Sequence, residues 1–273
     1  MKRDLQGLTV LITGASSGIG KAIALEYAAR GATVAALARR ADRLADLADC
    51  IHQRGGACLP LEGDVTVDGS LEIAVTKTLE AYGRIDVAIA NAGFGVSGEF
   101  LELGLEDYRR QFETNVFGVM RTVTATIPAL EASRGRLALI GSVSSYVTVR
   151  GTTAYAMSKH AVRSLAEGLA FELAERGISV TLVAPGYVES EIRHVDNKGH
   201  RHDRARDPLP SWLVMKSEVA ARQIVRAVQA RRSEIVITVH GKIVVAIRNH
   251  LAWLYRFAGY RMPSFSRKPK AGN

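Results

Sequence analysis

The chain has 273 residues, 47% of them hydrophobic and 23% charged, which suits one large globular domain with a three-layer core and, with no run of about 18 uncharged apolar residues, excludes a membrane-spanning helix. Its net charge of +9 is unevenly placed: residues 1–190 carry 19 Lys/Arg against 21 Asp/Glu, and residues 191–273 carry 17 against 6. The positive excess in the last third points to an anionic partner, ligand or surface, or to a solvated basic face.

Met1-Lys2-Arg3-Asp4 leads straight into a strand-like segment, without the apolar stretch of a secretory signal. Cys50 and Cys58 do not make a disulfide framework, so a cytoplasmic setting is expected. Leu8–Thr13 reads as a strand and Ile19–Arg30 as a helix ended by Gly31. Between them lies Thr13-Gly14-Ala15-Ser16-Ser17-Gly18-Ile19-Gly20. Glycines there allow a tight turn and close approach to phosphate, at a helix N-terminus with free N–H groups. Thr33–Ala38 is the next strand, followed by a helix over Asp42–Gln53. The strand ends in Ala38-Arg39-Arg40, where an acidic residue would select the free ribose hydroxyl of NAD. A guanidinium suits a 2′-phosphate. NADP(H) is therefore the expected cofactor, with Arg39 the main contact and Arg40 a second, and NAD(H) as the alternative.

Strands over Ala57–Leu61 and Ile85–Ala90 flank a helix over Ser70–Tyr82. A long helix covers about Glu106–Ala132, a strand Arg136–Gly141, and a second long helix Thr153–Arg176. Ile178–Ala184 is a strand closed by Pro185-Gly186. Short apolar runs alternating with helices of this length predict an α/β fold with a doubly wound parallel sheet. Tyr155 and Lys159 lie four apart on a helix, so their heads share one face. An ammonium beside a phenol favours the phenolate and lowers its pKa from about 10. Such a pair can donate or accept a proton at a carbonyl or alcohol carbon.

The Gly-x-x-x-Gly-x-Gly turn together with Tyr155-Ala-Met-Ser-Lys159 resembles the short-chain dehydrogenase/reductase family, in its compact single-domain branch. Other motifs fall in matching places over about residues 5–240. Asn91-Ala92-Gly93 closes the fourth strand, Asn115 sits in the long helix, and Ser142 lies thirteen residues before Tyr155. The resemblance implies a Rossmann-like, seven-stranded sheet. It implies cofactor contacts from Gly14, Ser16, Ser17, Gly18, Ile19 and Gly20, from Asp64 and Val65 near adenine, and from Asn91, Ala92 and Gly93. Pro185, Gly186, Val188 and Ser190, with Tyr155 and Lys159, would complete the nicotinamide end. Ser142 would hold the substrate oxygen, Tyr155 would transfer the proton, and Lys159 would lower the tyrosine pKa and bind the ribose. Asn115 would help seat a water leading from Lys159 to solvent. A homodimer or homotetramer through the helices near 106–132 and 153–176 is implied as well.

Residues 1–240 thus form the nucleotide-binding and catalytic domain, with a lid over about 187–216, in which Tyr187, Trp212, Leu213 and Met215 are candidate substrate contacts. His194, His200 and His202 with Asp196 and Asp203 fit no compact metal motif, and no metal is expected. Ser217 is a candidate cap for a helix running through Ala230, and Glu234–Val239 reads as the last strand. Residues 241–273 form an amphipathic helix and a basic tail. Over Lys242–Gly259, Ile243, Val244, Ile247, Leu251, Leu254 and Ala258 share a face, and Arg267, Lys268 and Lys270 follow. That face has three readings: packing on the domain or a second subunit, a wall of an apolar substrate pocket, or peripheral contact with an anionic membrane. Nucleic acid is a poor fit, because no binding module accompanies the charge. The reading is an NADP-dependent oxidoreductase for a lipophilic carbonyl or alcohol. The alternatives are reduction of a 3-oxoacyl thioester on an acidic carrier protein, and a non-catalytic NADP-binding sensor or scaffold.

Overall fold

The computed structural model of the chain describes residues 4–191, 197, 210–261 and 264. The strands are β1 (Thr9–Thr13), β2 (Thr33–Ala38), β3 (Cys58–Glu62), β4 (Val87–Ala90), β5 (Arg136–Ile140), β6 (Ser179–Ala184) and β7 (Glu234–Val236). They form one seven-stranded sheet in the order β3-β2-β1-β4-β5-β6-β7. Every neighbouring pair is parallel. The helices are α1 (Gly18–Ala29), α2 (Ala41–His52), α3 (Ser70–Tyr82), α4 (Leu105–Phe112), α5 (Gly118–Ser133), α6 (Thr153–Glu172), α7 (Ser217–Gln229), α8 (Val239–His250) and α9 (Ala252–Arg261).

Successive strand residues point to opposite faces, and both faces are covered. Val10, Ile12, Val34 and Ala36 pack with Ile23 of α1, Leu47 of α2 and Ile224 of α7. Leu11, Leu37, Leu137 and Leu139 pack on the other side with Leu71 of α3, Val123 of α5 and Val162 of α6. The strand order reverses direction between β1 and β4, and a parallel sheet opens its ligand crevice at the carboxyl ends of the strands on either side of such a reversal.

Four elements differ from the expectation. The helix expected over 106–132 is interrupted by a π-helical turn over Glu113–Phe117. The strand expected to reach Val239 ends at Val236 because Thr238 turns into a helix cap, its hydroxyl accepting from Gly241 N at 3.2 Å. Ser217 is the first helical residue of α7, and Lys216 occupies the cap position. The C-terminal helix is two helices, broken at Leu251, whose φ of −127° and ψ of 51° are non-helical. Within α8 it is Val245 that enters the core, while Ile243, Val244 and Leu251 of the expected packing face stand exposed. Among the described residues, no helix is long and apolar enough to cross a membrane. His194, Asp196, His200, His202, Asp203, Arg267, Lys268 and Lys270 lie outside the described residues.

Candidate active site

The turn between β1 and α1 needs its glycines. Gly14 has φ +68° and Gly18 φ +52°, where a side chain is strained. Gly20 is needed for space: a Cβ there would sit 2.4 Å from Gly14 O and 2.5 Å from Asn91 Nδ2. Asn91 staples the turn to the end of β4, its Nδ2 donating to Thr13 O at 2.9 Å and to Gly14 O at 3.2 Å. In return Thr13 Oγ1 accepts from Asn91 N and Ala92 N, both at 3.1 Å. Asn91 therefore shapes the floor of the crevice through the turn's main chain.

The crevice is a cleft of about 640 Å³. Gly14, Ser16, Ser17, Ile19 and Gly20 line it from β1–α1, Arg39 and Arg40 from β2, and Asp64 and Val65 from the segment after β3. Asn91, Ala92 and Gly93, then Pro185, Gly186, Val188 and Ser190, line the remaining walls. Gly18 abuts Ser190, whose Oγ lies 3.0 Å from where a Cβ on that glycine would be. Asp64 folds its own loop, accepting from Thr66 N and Thr66 Oγ1 at 2.9 Å each. The two arginines are not equivalent. Arg39 is 73% exposed at its side chain and 3.8 Å from Asp64. Arg40 turns into the cleft, its Nη2 donating to Ser16 Oγ at 3.0 Å and Ser17 Oγ at 2.9 Å. Arg40 directly precedes α2 in extended backbone and reaches the Gly-rich turn, whereas Arg39 lines the cleft nearer Asp64 and is the more exposed of the two.

Ser142, Tyr155 and Lys159 meet at the other end of the same cleft. Ser142 acts on the Tyr155 phenol in the direction that favours its charged form. Ser142 is held by accepting from Ser144 N at 3.1 Å and by Ser145 Oγ accepting from Ser142 N at 3.2 Å. Lys159 is buried, its Nζ donating to Ile140 O at 2.8 Å and lying 5.8 Å from the centre of the Tyr155 ring. Burial dominates both groups. It raises the Tyr155 pKa above the ordinary phenol value, against the lowering effect of Ser142. It also pushes Lys159 down to about 8. The expected lowering of the tyrosine by Lys159 is corrected for this cleft, where desolvation raises the phenol and Ser142, not Lys159, supplies the lowering contribution.

Asn115 sits in the π-helical turn, behind the cleft, and is fully buried. Its Oδ1 accepts from Phe94 N at 3.0 Å, and its Nδ2 donates to Phe94 O at 3.0 Å and to Ser158 Oγ at 3.2 Å. Among the described residues its hydrogen bonds go to Phe94 and Ser158 and not to Lys159, so the amide joins the 93–94 segment to α6. A Cβ on Gly93 would lie 3.0 Å from Asn115 Oδ1 and 3.7 Å from Lys159 Nζ, so the bare glycine keeps a gap open between them.

Two expected substrate contacts are not brought to the cleft. Trp212 lies on a short turn and is 82% exposed. Tyr187 turns away to stack on His240, ring centres 5.2 Å apart. Leu213 lies on the turn of Trp212, and Met215 pairs with Val188. The pattern along the chain gave no signal for His240 or Thr238, which come from beyond β7. His240 Nε2 accepts from Tyr187 N at 3.1 Å. Gly186 fits against both, since a Cβ there would be 2.1 Å from Thr238 Oγ1 and 2.5 Å from His240 Nε2. Phe94, Arg110 and Thr114 also line the cleft and were not foreseen.

These features fit a dinucleotide: a glycine cradle at a helix N-terminus, a cationic group at one end and a buried proton-bearing pair at the other. Comparison with known proteins agrees. The family model for short chain dehydrogenase matches residues 8–201. The oxidoreductase UcpA of Salmonella typhimurium is 39% identical over 190 residues, covering 69% of this chain and 72% of that protein. A short-chain dehydrogenase of Burkholderia cenocepacia, solved with NADP, superposes with a TM-score of 0.75 at 29% identity, over 86% of this chain and 97% of that one. A short chain dehydrogenase/reductase of Burkholderia phymatum, solved with NAD, shares the fold at a TM-score of 0.82 and 23% identity, over 92% of this chain and 96% of that one.

Proposed function

The chain belongs to the short-chain dehydrogenase/reductase family, and on that premise we propose that it interconverts a lipophilic ketone or aldehyde and its alcohol with NADP(H) preferred. Membership makes it an NAD(P)-dependent oxidoreductase acting on CH–OH and C=O groups. The carrying observation is that Ser142, Tyr155 and Lys159 open onto the same cleft that Arg40 closes at its far end.

When bound, the nicotinamide supplies or takes the hydride. The chain's own groups do the rest. Ser142 Oγ and the Tyr155 phenol both address one substrate oxygen. Tyr155 donates its proton to that oxygen as reduction proceeds and takes it back in oxidation. A phenol with a raised pKa holds that proton at neutral pH, which suits the reductive direction. Lys159 stands next to the phenol and offsets negative charge as the proton leaves. Its own route for a proton runs toward the gap at Gly93. Main-chain bonds fix Ser142, and α6 fixes Tyr155, so little reorganisation is needed.

For the cofactor, kcat/KM should favour NADPH over NADH, and Arg40→Ala should remove most of that preference; a wild-type preference for NADH would reject it.

Two finer readings concern the surface. Residues 239–273 contain no Asp or Glu. Trp253, Phe257 and Tyr260 recur at helical spacing on α9, all exposed, with Arg256 and Arg261 between and beside them. Basic and aromatic groups on one exposed helix face suit an anionic bilayer surface. Tyr255 ties α9 to the segment between Ser142 and Tyr155, its hydroxyl accepting from Thr148 N at 2.8 Å and donating to Thr148 O at 2.5 Å. A bilayer contact there would deliver a lipophilic substrate beside the reacting groups. Exposed Phe117 and Met120 along the π-turn and α5, with Met157 and Phe171 on α6, support a subunit contact through those helices.

A further inference from the structure

Arg40 divides its guanidinium between two walls of the cleft. One edge faces the Gly-rich turn, with Nε donating to Ser16 Oγ at 3.3 Å and Nη2 to Ser16 and Ser17 at 3.0 and 2.9 Å. The other edge donates through Nη1 to Glu191 Oε2 at 3.0 Å. Glu191 Oε1 lies 3.8 Å from Arg43 Nη1. The carboxylate comes from 151 residues further along the chain, after β6, and lines the same cleft. Its side chain is 25% exposed, so water screens it only in part.

An anion taken up by the serine-facing edge of Arg40 therefore has a carboxylate as its neighbour across one guanidinium. Like charges at such a separation repel, and Glu191 already satisfies part of the guanidinium's charge and hydrogen-bonding capacity. A free ribose hydroxyl carries no such penalty. We propose that Glu191 is a specificity-determining residue: it weakens the hold of Arg40 on a 2′-phosphate and so keeps the unphosphorylated cofactor admissible. The inference rests on Arg40 being the 2′-phosphate contact. It separates two roles that the arginine pair alone would merge, since the arginines set the attraction and Glu191 sets its ceiling.

The test is calorimetric binding of adenosine 2′,5′-bisphosphate and of 5′-AMP to the full chain, ligands that differ only in the 2′-phosphate. Glu191→Gln keeps the shape and removes the charge. It should tighten the bisphosphate about tenfold and leave 5′-AMP unchanged. Glu191→Asp should stay near wild type in selectivity. Glu189→Gln removes the same charge nearby, from a carboxylate that meets Ser217 N at 3.4 Å and not Arg40, and should change nothing. A selectivity that is unchanged or lower in Glu191→Gln, or an equal rise in Glu189→Gln, would overturn the proposal. If wild type shows no preference for the bisphosphate while Glu191→Gln still gains one, the NADP preference fails and the role of Glu191 stands.

Discussion

Lys159 is the residue whose surroundings say most about the site, because its amine is buried with a single carbonyl, Ile140 O, at 2.8 Å. Burial penalises its charged form and brings its pKa down to about 8. An unfolded lysine titrates near ~10.4. Between those two values the unfolded chain holds a proton that the folded chain has released, so stability should rise with pH from about 8 to about 10.4. The gain is on the order of 3 kcal/mol at most. Tyr155 works in the opposite sense, but only above about 10, because its folded pKa lies above the unfolded one. Urea unfolding of wild type and Lys159→Met at pH 7.5 to 10 should therefore show a rising difference in favour of wild type; parallel curves would contradict a charged, desolvated amine. That the two side chains share one helix face was readable from the Tyr155–Lys159 spacing, and both line the cleft. The direction of their pKa shifts was not readable, since a spacing carries no information on how much water the fold removes. The same holds for Arg39 and Arg40, adjacent in sequence and both lining the cleft but with different partners, Asp64 for one and Ser16, Ser17 and Glu191 for the other.

At the scale of elements, two local irregularities hold the cleft open. The first is the β1–α1 turn, where Gly20 lets Gly14 O and Asn91 Nδ2 come within reach of its backbone. Gly20→Ala should weaken NADPH about tenfold or more by calorimetry, with the fold retained by circular dichroism; unchanged affinity would remove the turn from the cofactor site. This turn was visible in the chain because glycine spacing and the strand-to-helix change coincide there. The second is the π-helical turn. Asn115→Ala would leave Phe94 N without its side-chain partner, while Phe94 O keeps Gln111 Nε2 at 2.9 Å, at about 1–3 kcal/mol in urea unfolding. A cost near zero would show that Asn115 does not join the 93–94 segment to α6. Apolar periodicity alone reads residues 106–132 as one unbroken helix, because a single extra residue in one turn hardly disturbs the pattern. The break at Leu251 leaves no mark in the pattern for a similar reason: apolar residues continue on both sides of it.

At the scale of the molecule, the parallel order of the strands followed from short apolar runs separated by helices, and it places the Gly-rich turn and the Tyr155 helix at one crevice. Contacts between distant segments were beyond such reasoning. His240 against Tyr187 and Glu191 against Arg40 are made by topology, 53 and 151 residues apart. The exposed aromatic face of α9 gives a prediction at this scale. The full chain should co-sediment with phosphatidylserine vesicles more than with phosphatidylcholine vesicles. A Trp253→Ser/Phe257→Ser/Tyr260→Ser variant should lose that binding while keeping its activity on a water-soluble ketone. Equal sedimentation of the two proteins would assign the face to another partner. If one cleft holds the cofactor and passes a proton to a carbonyl oxygen at its Ser142–Tyr155 end, NADPH oxidation will reveal it across steroid, retinal, aliphatic ketone, quinone and acetoacetyl thioester substrates, run with wild type and Tyr155→Phe alongside NADPH-binding calorimetry. Wild type should turn over a lipophilic carbonyl, and Tyr155→Phe should fall by about 10²–10⁴-fold with NADPH affinity kept. Turnover by Tyr155→Phe close to that of wild type would contradict that proton transfer.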